Sequence, residues 1–113
     1  MNSIYHHLRN GDWEAAHKIA QDLDTKEGAY WHGILHRIEP DLFNAKYWFA
    51  KVGTHPIHAA LVEHARKLGY DSSNTWNPDR FVDFYDPKNP IAQAVHNLEC
   101  RILDAYQSQG LAQ

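Results

Sequence analysis

The stretch that decides the fold is residues 29–56, AYWHGILHRIEPDLFNAKYWFAKVGTHP. On each side of the turn at residues 39–41, apolar side chains recur at intervals of three and four, which is the period of an amphipathic helix. Proline disfavours helix at the residue before it, and an aspartate can cap the helix that follows. The stretch therefore predicts helices over 26–38 and 42–52, joined by a short turn.

The rest of the chain shows the same kind of pattern. Each apolar run begins near a capping residue or a proline and ends at a glycine or before a proline, which are helix start and stop signals. The further predicted helices cover 3–9, 13–23, Pro56 to the residue before Gly69, 78–85 and 90–109, the last of them ended by Gly110. No alternating or β-branched run indicates a strand. The prediction is an all-α protein of six or seven helices.

A weak internal repeat relates residues 11–16 to residues 40–45 at an offset of 29. The two segments align aspartate with aspartate and alanine with alanine, and the spacing resembles tetratricopeptide-like or Sel1-like arrays, whose periods are slightly longer. Two units are fewer than a stable solenoid needs. We therefore predict a compact array built on helical hairpins that is loosely tetratricopeptide-like. Any two capped amphipathic helices would align equally well.

Length and composition limit the classes of protein to consider. A chain of 113 residues with 43% hydrophobic and 22% charged residues predicts one globular domain over 1–113. The net charge of -3 and the absence of a basic stripe argue against nucleic acid as a partner. No apolar run has the length of a signal peptide core or a membrane span. We expect a cytoplasmic protein with no membrane partner.

Histidine and cysteine contents are both informative. The chain has nine histidines, and protonating all of them would change the formal charge from -3 to +6. An unperturbed histidine titrates near pH ~6.5, so the surface potential is expected to invert in mild acid. The single cysteine, Cys100, excludes an internal disulfide. Its position within a helical pattern predicts a buried, inert thiol.

One face of the predicted helix 26–38 carries candidate metal ligands. His32, His36 and Glu39 fall within about 60° of one another at 100° per residue. Two imidazoles and a carboxylate can bind zinc, or non-haem iron with open positions. His55 or His58 would supply a fourth ligand if the next helix packs alongside. The alternative is that these histidines are buried and hydrogen-bonded to protein groups, since unpaired burial costs about 1–3 kcal/mol.

Catalysis without a metal is a second possibility for the same residues. A histidine paired with a glutamate can act as a general base. The only candidate nucleophiles are Cys100, several serines in turns, and water, and no G-x-S-x-G or Cys/His signature is present. The sequence is compatible both with an enzyme and with a binding protein.

The aromatic residues of the same stretch divide between the core and the surface. Trp31 and Trp48 are expected to pack in the core, because aromatic side chains at helical spacing usually do. Tyr30 and Arg37 are expected to point outward. Tyr47 is expected to form a polar lip with Asn44, Arg37 and His36. Tyrosine, tryptophan and arginine dominate the energetics of protein interfaces.

These features predict a binding function. We expect a protein or a small-molecule ligand to bind at the face of residues 32–55. The sequence is also compatible with a homo-oligomer. The alternative is a metal-dependent or His/Glu-assisted, hydrolase-like enzyme at the same face, with zinc or iron as cofactor. The predicted ligand-binding residues are His32, His36, Arg37, Glu39, Asn44, Tyr47 and His55.

Two segments also resemble a set of known sequences. Residues 32–48 follow the pattern H-x3-H-R-x-E-x-D-x2-N-A-x-Y-W, and residues 76–83 follow W-x-P-x2-F-V-D. Both patterns resemble a set of uncharacterised, mostly bacterial small helical proteins, many of which have glycine where this chain has Pro40. The resemblance implies a shared polar cluster but no particular activity.

Overall fold

The structure, a computed structural model, describes residues 3–109 and contains seven α-helices in this range. The helices are α1 (Ile4–Arg9), α2 (Trp13–Asp22), α3 (Lys26–Ile38), α4 (Leu42–Val52), α5 (His58–Lys67), α6 (Pro78–Phe84) and α7 (Pro90–Ser108). No strand occurs among these residues, so the all-α prediction is confirmed. The predicted helix stop at Gly110 lies outside the described range. None of the described helices is long and apolar enough to cross a membrane.

Side-chain caps explain where most of the helices begin. The caps that accept a hydrogen bond from a backbone N–H of the first turn are Ser3, Asp12, Thr25, Asp41, Asn77 and Asn89. Such bonds satisfy N–H groups that have no partner inside the helix. All of these except Thr25 follow directly from the start signals in the sequence.

The predicted start of α5 at Pro56 is wrong. The helix begins at His58, and residues 56 and 57 form a turn. Imidazole nitrogens hold this turn: Nδ1 of His55 accepts from the N–H of Ile57 at 3.2 Å, and Nδ1 of His58 accepts from the N–H of His55 at 3.3 Å. These side-chain bonds satisfy backbone N–H groups just before the helix, where no partner inside a helix is available.

The helices pack in chain order around α3. The first four helices each contact the next one, and α3 and α4 form the most closely packed hairpin. The long helix α7 contacts α1 and α5, while α6 covers α4. This confirms packing by helical hairpins, whereas a relationship to tetratricopeptide repeats stays a prediction.

Close approach between α3 and α4 occurs at Gly33. A Cβ atom at this position would lie 2.7 Å from the ring of Phe49, so only glycine fits here without movement of the ring. The neighbour is the aromatic ring of Phe49, which is buried.

The prediction that Tyr30 and Arg37 point outward is wrong. Their exposed fractions are 0% and 1%, and both side chains contact Glu99 of α7, which is itself 0% exposed. Nη1 of Arg37 lies 2.8 Å from Oε1 of Glu99, and the hydroxyl of Tyr30 donates to Oε2 at 2.5 Å. The guanidinium also lies over the ring of Phe81, 4.6 Å from its centroid. Arg37 is therefore part of the core and not of a polar lip.

A second, smaller apolar cluster lies beneath α5 and α6. Trp76 precedes the N-cap of α6, and its ring centroid lies 5.2 Å from that of Phe81, which is the arrangement of a hydrophobic staple. Phe81 is fully buried, so α6 covers the core and does not present this side chain for docking.

Candidate metal centre

Three histidines converge where α2 packs against α3. His17 comes from α2, and His32 and His36 lie one turn apart on α3; one nitrogen of each ring lies within 4.8 Å of the others. The ring centroids are 4.9, 5.6 and 5.9 Å apart. A tetrahedral zinc site with Zn–N distances of about 2.0–2.1 Å places its imidazole centroids about 5 Å apart. The ring centroids therefore have about the spacing of a three-histidine site. For one ion to bind all three rings, the distances between their nitrogens need to shorten by at most about 1.5 Å.

His32 is the most buried member of the cluster. Its exposed fraction is 6%, and its Nδ1 atom has no hydrogen-bond partner. An unpaired buried polar atom costs about 1–3 kcal/mol, and a metal ion bound at that atom would offset this cost. Burial, reinforced by the neighbouring His17 and His36, lowers the pKa of His32 to about 4. The ring is therefore neutral at pH 7, which is the form that binds metals.

His36 is oriented by Glu39. Nδ1 of His36 lies 2.7 Å from Oε1 of the carboxylate, so this nitrogen carries the proton and donates it. In the neutral form of this ring, Nε2 is then the nitrogen with a lone pair that can bind a metal. A carboxylate that holds a ligating histidine in this way is a common feature of metal sites. Glu39 thus acts on His36 and does not join the nitrogen cluster.

Tryptophan rings support two of the three imidazoles. Trp13 stacks on His17 with centroids 4.8 Å apart and an interplanar angle of 9°, and Trp48 stacks on His32 at 4.1 Å and 18°. The Nε1 group of Trp13 donates to the carbonyl of Leu35 at 2.8 Å, which fixes its ring against α3. The prediction that Trp48 packs in the core is wrong, because its side chain is half-buried and stacks on His32 beside the cluster. Rings held in this way need little rearrangement to bind an ion.

A second group of nearby donors, His36, Glu39 and Asp41, is explained by helix capping. Both carboxylate oxygens of Asp41 accept from Asn44, one from its backbone N–H at 3.2 Å and one from its side-chain amide at 2.7 Å. These bonds lower the pKa of Asp41. The predicted ligand-binding residue Asn44 therefore stabilises the start of α4.

Three other predicted site residues lie apart from the cluster. Arg37 is in the core, and Tyr47 is exposed on α4, where Nζ of Lys51 lies 5.2 Å from its ring centroid. His55 is buried and pairs with Glu27 at 2.8 Å. His58, considered as a fourth ligand, contacts the hydroxyl of Tyr30 at 3.2 Å. Burial lowers the pKa of His58 and keeps it neutral in this network.

His17 is the functional candidate that pattern reading missed. It follows Trp13 by four residues and borders the apolar stripe of α2 that contains Ala16 and Ala20. His17 lies at the edge of the buried face of α2, and the neighbouring helix α3 carries two histidines. This combination is a signal for a shared histidine site. Recognising it requires knowing which faces of α2 and α3 meet.

A groove adjoins the cluster on the side of His32. It has a volume of about 880 Å³ and runs between the end of α2, the start of α3 and the last turns of α4. Trp48 and His32 form one end. Its charged lining residues are Asp22, Asp24, Lys26 and Lys51.

The fold and the site define an all-helical protein with a three-histidine cluster supported by tryptophan. No protein family, curated protein or solved structure matches the chain. The similarity to the set of bacterial proteins therefore stays a prediction, and the functional argument depends on the geometry of the site.

Proposed function

We propose that this protein binds a divalent transition-metal ion of the zinc class through His17, His32 and His36. The observation that carries the proposal is the convergence of three imidazoles, one of which, that of His32, has a buried nitrogen, Nδ1, without a protein partner. If these histidines served only the stability of the fold, that nitrogen would be expected to have a hydrogen bond.

The ligand set favours zinc over non-haem iron. Iron sites of the facial type use two histidines and one carboxylate, whereas imidazole nitrogens alone suit zinc well. Within residues 3–109, the only carboxylate bonded to the cluster is that of Glu39, which accepts a hydrogen bond from Nδ1 of His36 and so supports a ligand. Three neutral histidines are the expected first set of ligands.

Metal titration of the untagged protein tests the proposal. We expect near-stoichiometric zinc binding by calorimetry, and a visible absorption band on loading with Co²⁺. His17→Ala and His32→Ala should each weaken binding by more than about 100-fold, the upper end of the loss seen for residues that only support a ligand. The matched control is His64→Ala, which removes an exposed histidine on α5. The proposal fails if wild-type protein binds no metal or if His17→Ala binds it as tightly.

The groove beside His32 supports a second candidate function. Its position next to Trp48 and Lys51 fits the predicted binding of a small molecule or a protein segment at residues 32–55. A fragment screen followed by amide chemical shifts should place the largest changes at residues 20–26 and 48–52. Fragments that shift only resonances elsewhere would contradict this candidate.

The proposed location is the cytoplasm. Cys100 is a free, buried cysteine, and burial raises the pKa of its thiol. An unpaired thiol is typical of reducing compartments. Cell fractionation of the organism that makes the protein tests this expectation.

A further inference from the structure

The protein supplies three donors to the candidate metal centre, and zinc takes at least four. Among residues 3–109, no further histidine, cysteine, aspartate or glutamate joins His17, His32 and His36 within 4.8 Å. The six residues outside this range are Met, Asn, Gly, Leu, Ala and Gln, none with an imidazole, thiol or carboxylate side chain. A bound ion therefore has at least one coordination position that no histidine, cysteine, aspartate or glutamate side chain fills.

That position is accessible from solvent. His32 is only 6% exposed and stacks against Trp48, but His17 and His36 are partly buried, and the side chain of His36 is 13% exposed. The outer side of the cluster thus reaches the surface through these two residues. The space between two partly exposed rings suits a small ligand better than a bulky one.

Charge balance determines the kind of ligand. Three neutral imidazoles leave the two positive charges of the ion without compensation from its direct ligands. The nearest bonded carboxylate, Glu39, acts through His36 and offsets only part of this charge. A bound cation is the largest local charge in a site of this kind, so an anion is favoured at the remaining position.

Building on the proposed function, we infer that the metal ion bound by His17, His32 and His36 takes a small, exchangeable anion as its fourth ligand. The ligand class is a monovalent inorganic anion or a carboxylate that enters between His17 and His36. The centre is then of the open type found in catalytic zinc sites, in contrast to the closed sites that serve only stability.

Azide titration of the Co²⁺-loaded protein tests this inference. The visible spectrum of four-coordinate cobalt responds to replacement of one ligand. We expect a saturable spectral shift while the cobalt content after dialysis stays constant. An unchanged spectrum with cobalt still bound would overturn the inference and leave the proposed function intact. Absence of cobalt binding would contradict both.

Two controls exclude other sources of the signal. The His64→Ala variant should show the same azide response as the wild type, and His32→Ala should show no protein-bound cobalt band. Size-exclusion chromatography with and without metal tests whether a second copy supplies the fourth ligand. A metal-dependent dimer whose cobalt spectrum does not change on addition of azide would overturn the inference.

Discussion

Glu39 touches the candidate metal centre through one hydrogen bond, the contact of 2.7 Å with Nδ1 of His36. Its side chain is 42% exposed, so it contributes little to the packed core. Its effect on the site is larger, because it fixes which nitrogen of His36 carries the proton. The role of Glu39 as a metal ligand, suggested by its position on the helix face, is thus better described as positioning a ligand.

Glu39→Gln separates these two roles. The amide oxygen can still accept from Nδ1 of His36, but the negative charge that makes the imidazole a stronger donor is lost. We expect zinc affinity to fall by about 10–100-fold, with an unchanged melting temperature for the metal-free protein. Competition against a chelating dye measures the affinity, and Glu63→Gln on the exposed face of α5 is the control. Equal affinity in Glu39→Gln and wild type would remove the positioning role.

At the scale of helices, the sequence predicts the elements well but not their orientation. The period of apolar residues and the caps are local, so α1 to α4 begin within a residue of their predicted starts. The outward assignment of Arg37 failed because its partner, Glu99, is 62 residues away and is itself buried. Polar residues that pair inside the core cannot be recognised from the pattern of one helix.

The buried ion pair of Arg37 on α3 with Glu99 on α7 allows a test by protein stability. Arg37→Met leaves the carboxylate of Glu99 buried with only Tyr30 as a hydrogen-bond donor. Removing one partner of a buried ion pair costs about 3–5 kcal/mol, whereas replacing both partners with apolar residues is often neutral. We therefore expect Arg37→Met to lose roughly that amount in urea unfolding, and Arg37→Met/Glu99→Met to recover most of it. A single variant as stable as the wild type would show that the pair adds nothing.

At the scale of the whole molecule, the sequence predicts only those residues of the three-histidine cluster that lie on the same helix. His32 and His36 could be found from their spacing on α3, and the structure brings them together as expected. His17 and the tryptophan supports depend on how α2 and α4 pack on α3, which is tertiary information. The same holds for the turn before α5, which is bonded to the ring nitrogens of His55 and His58.

Histidine burial also determines how the stability of the whole molecule depends on pH. His96 of α7 is buried against Arg37, Cys100 and the ring of Tyr85, and Nη2 of Arg37 donates to its Nδ1 at 3.0 Å. Burial, together with the charge of Arg37, lowers the pKa of His96 to about 3. In the unfolded chain its pKa is about 6.5. Between these values the unfolded state binds one more proton, so the free energy of unfolding falls as the pH falls.

At pH 5 this single group should reduce the free energy of unfolding by about 2 kcal/mol relative to pH 7.5, and His32 adds to the loss in the same direction. His96→Asn retains a side-chain acceptor for Arg37 but does not titrate. Urea unfolding with chelator present should therefore show a drop between pH 7.5 and pH 5 that is smaller by about 2 kcal/mol in His96→Asn. The exposed variant His64→Asn should retain the wild-type drop. An identical pH dependence in His96→Asn and wild type would mean that His96 is already protonated in the folded protein at pH 5, against the environment that Arg37 creates.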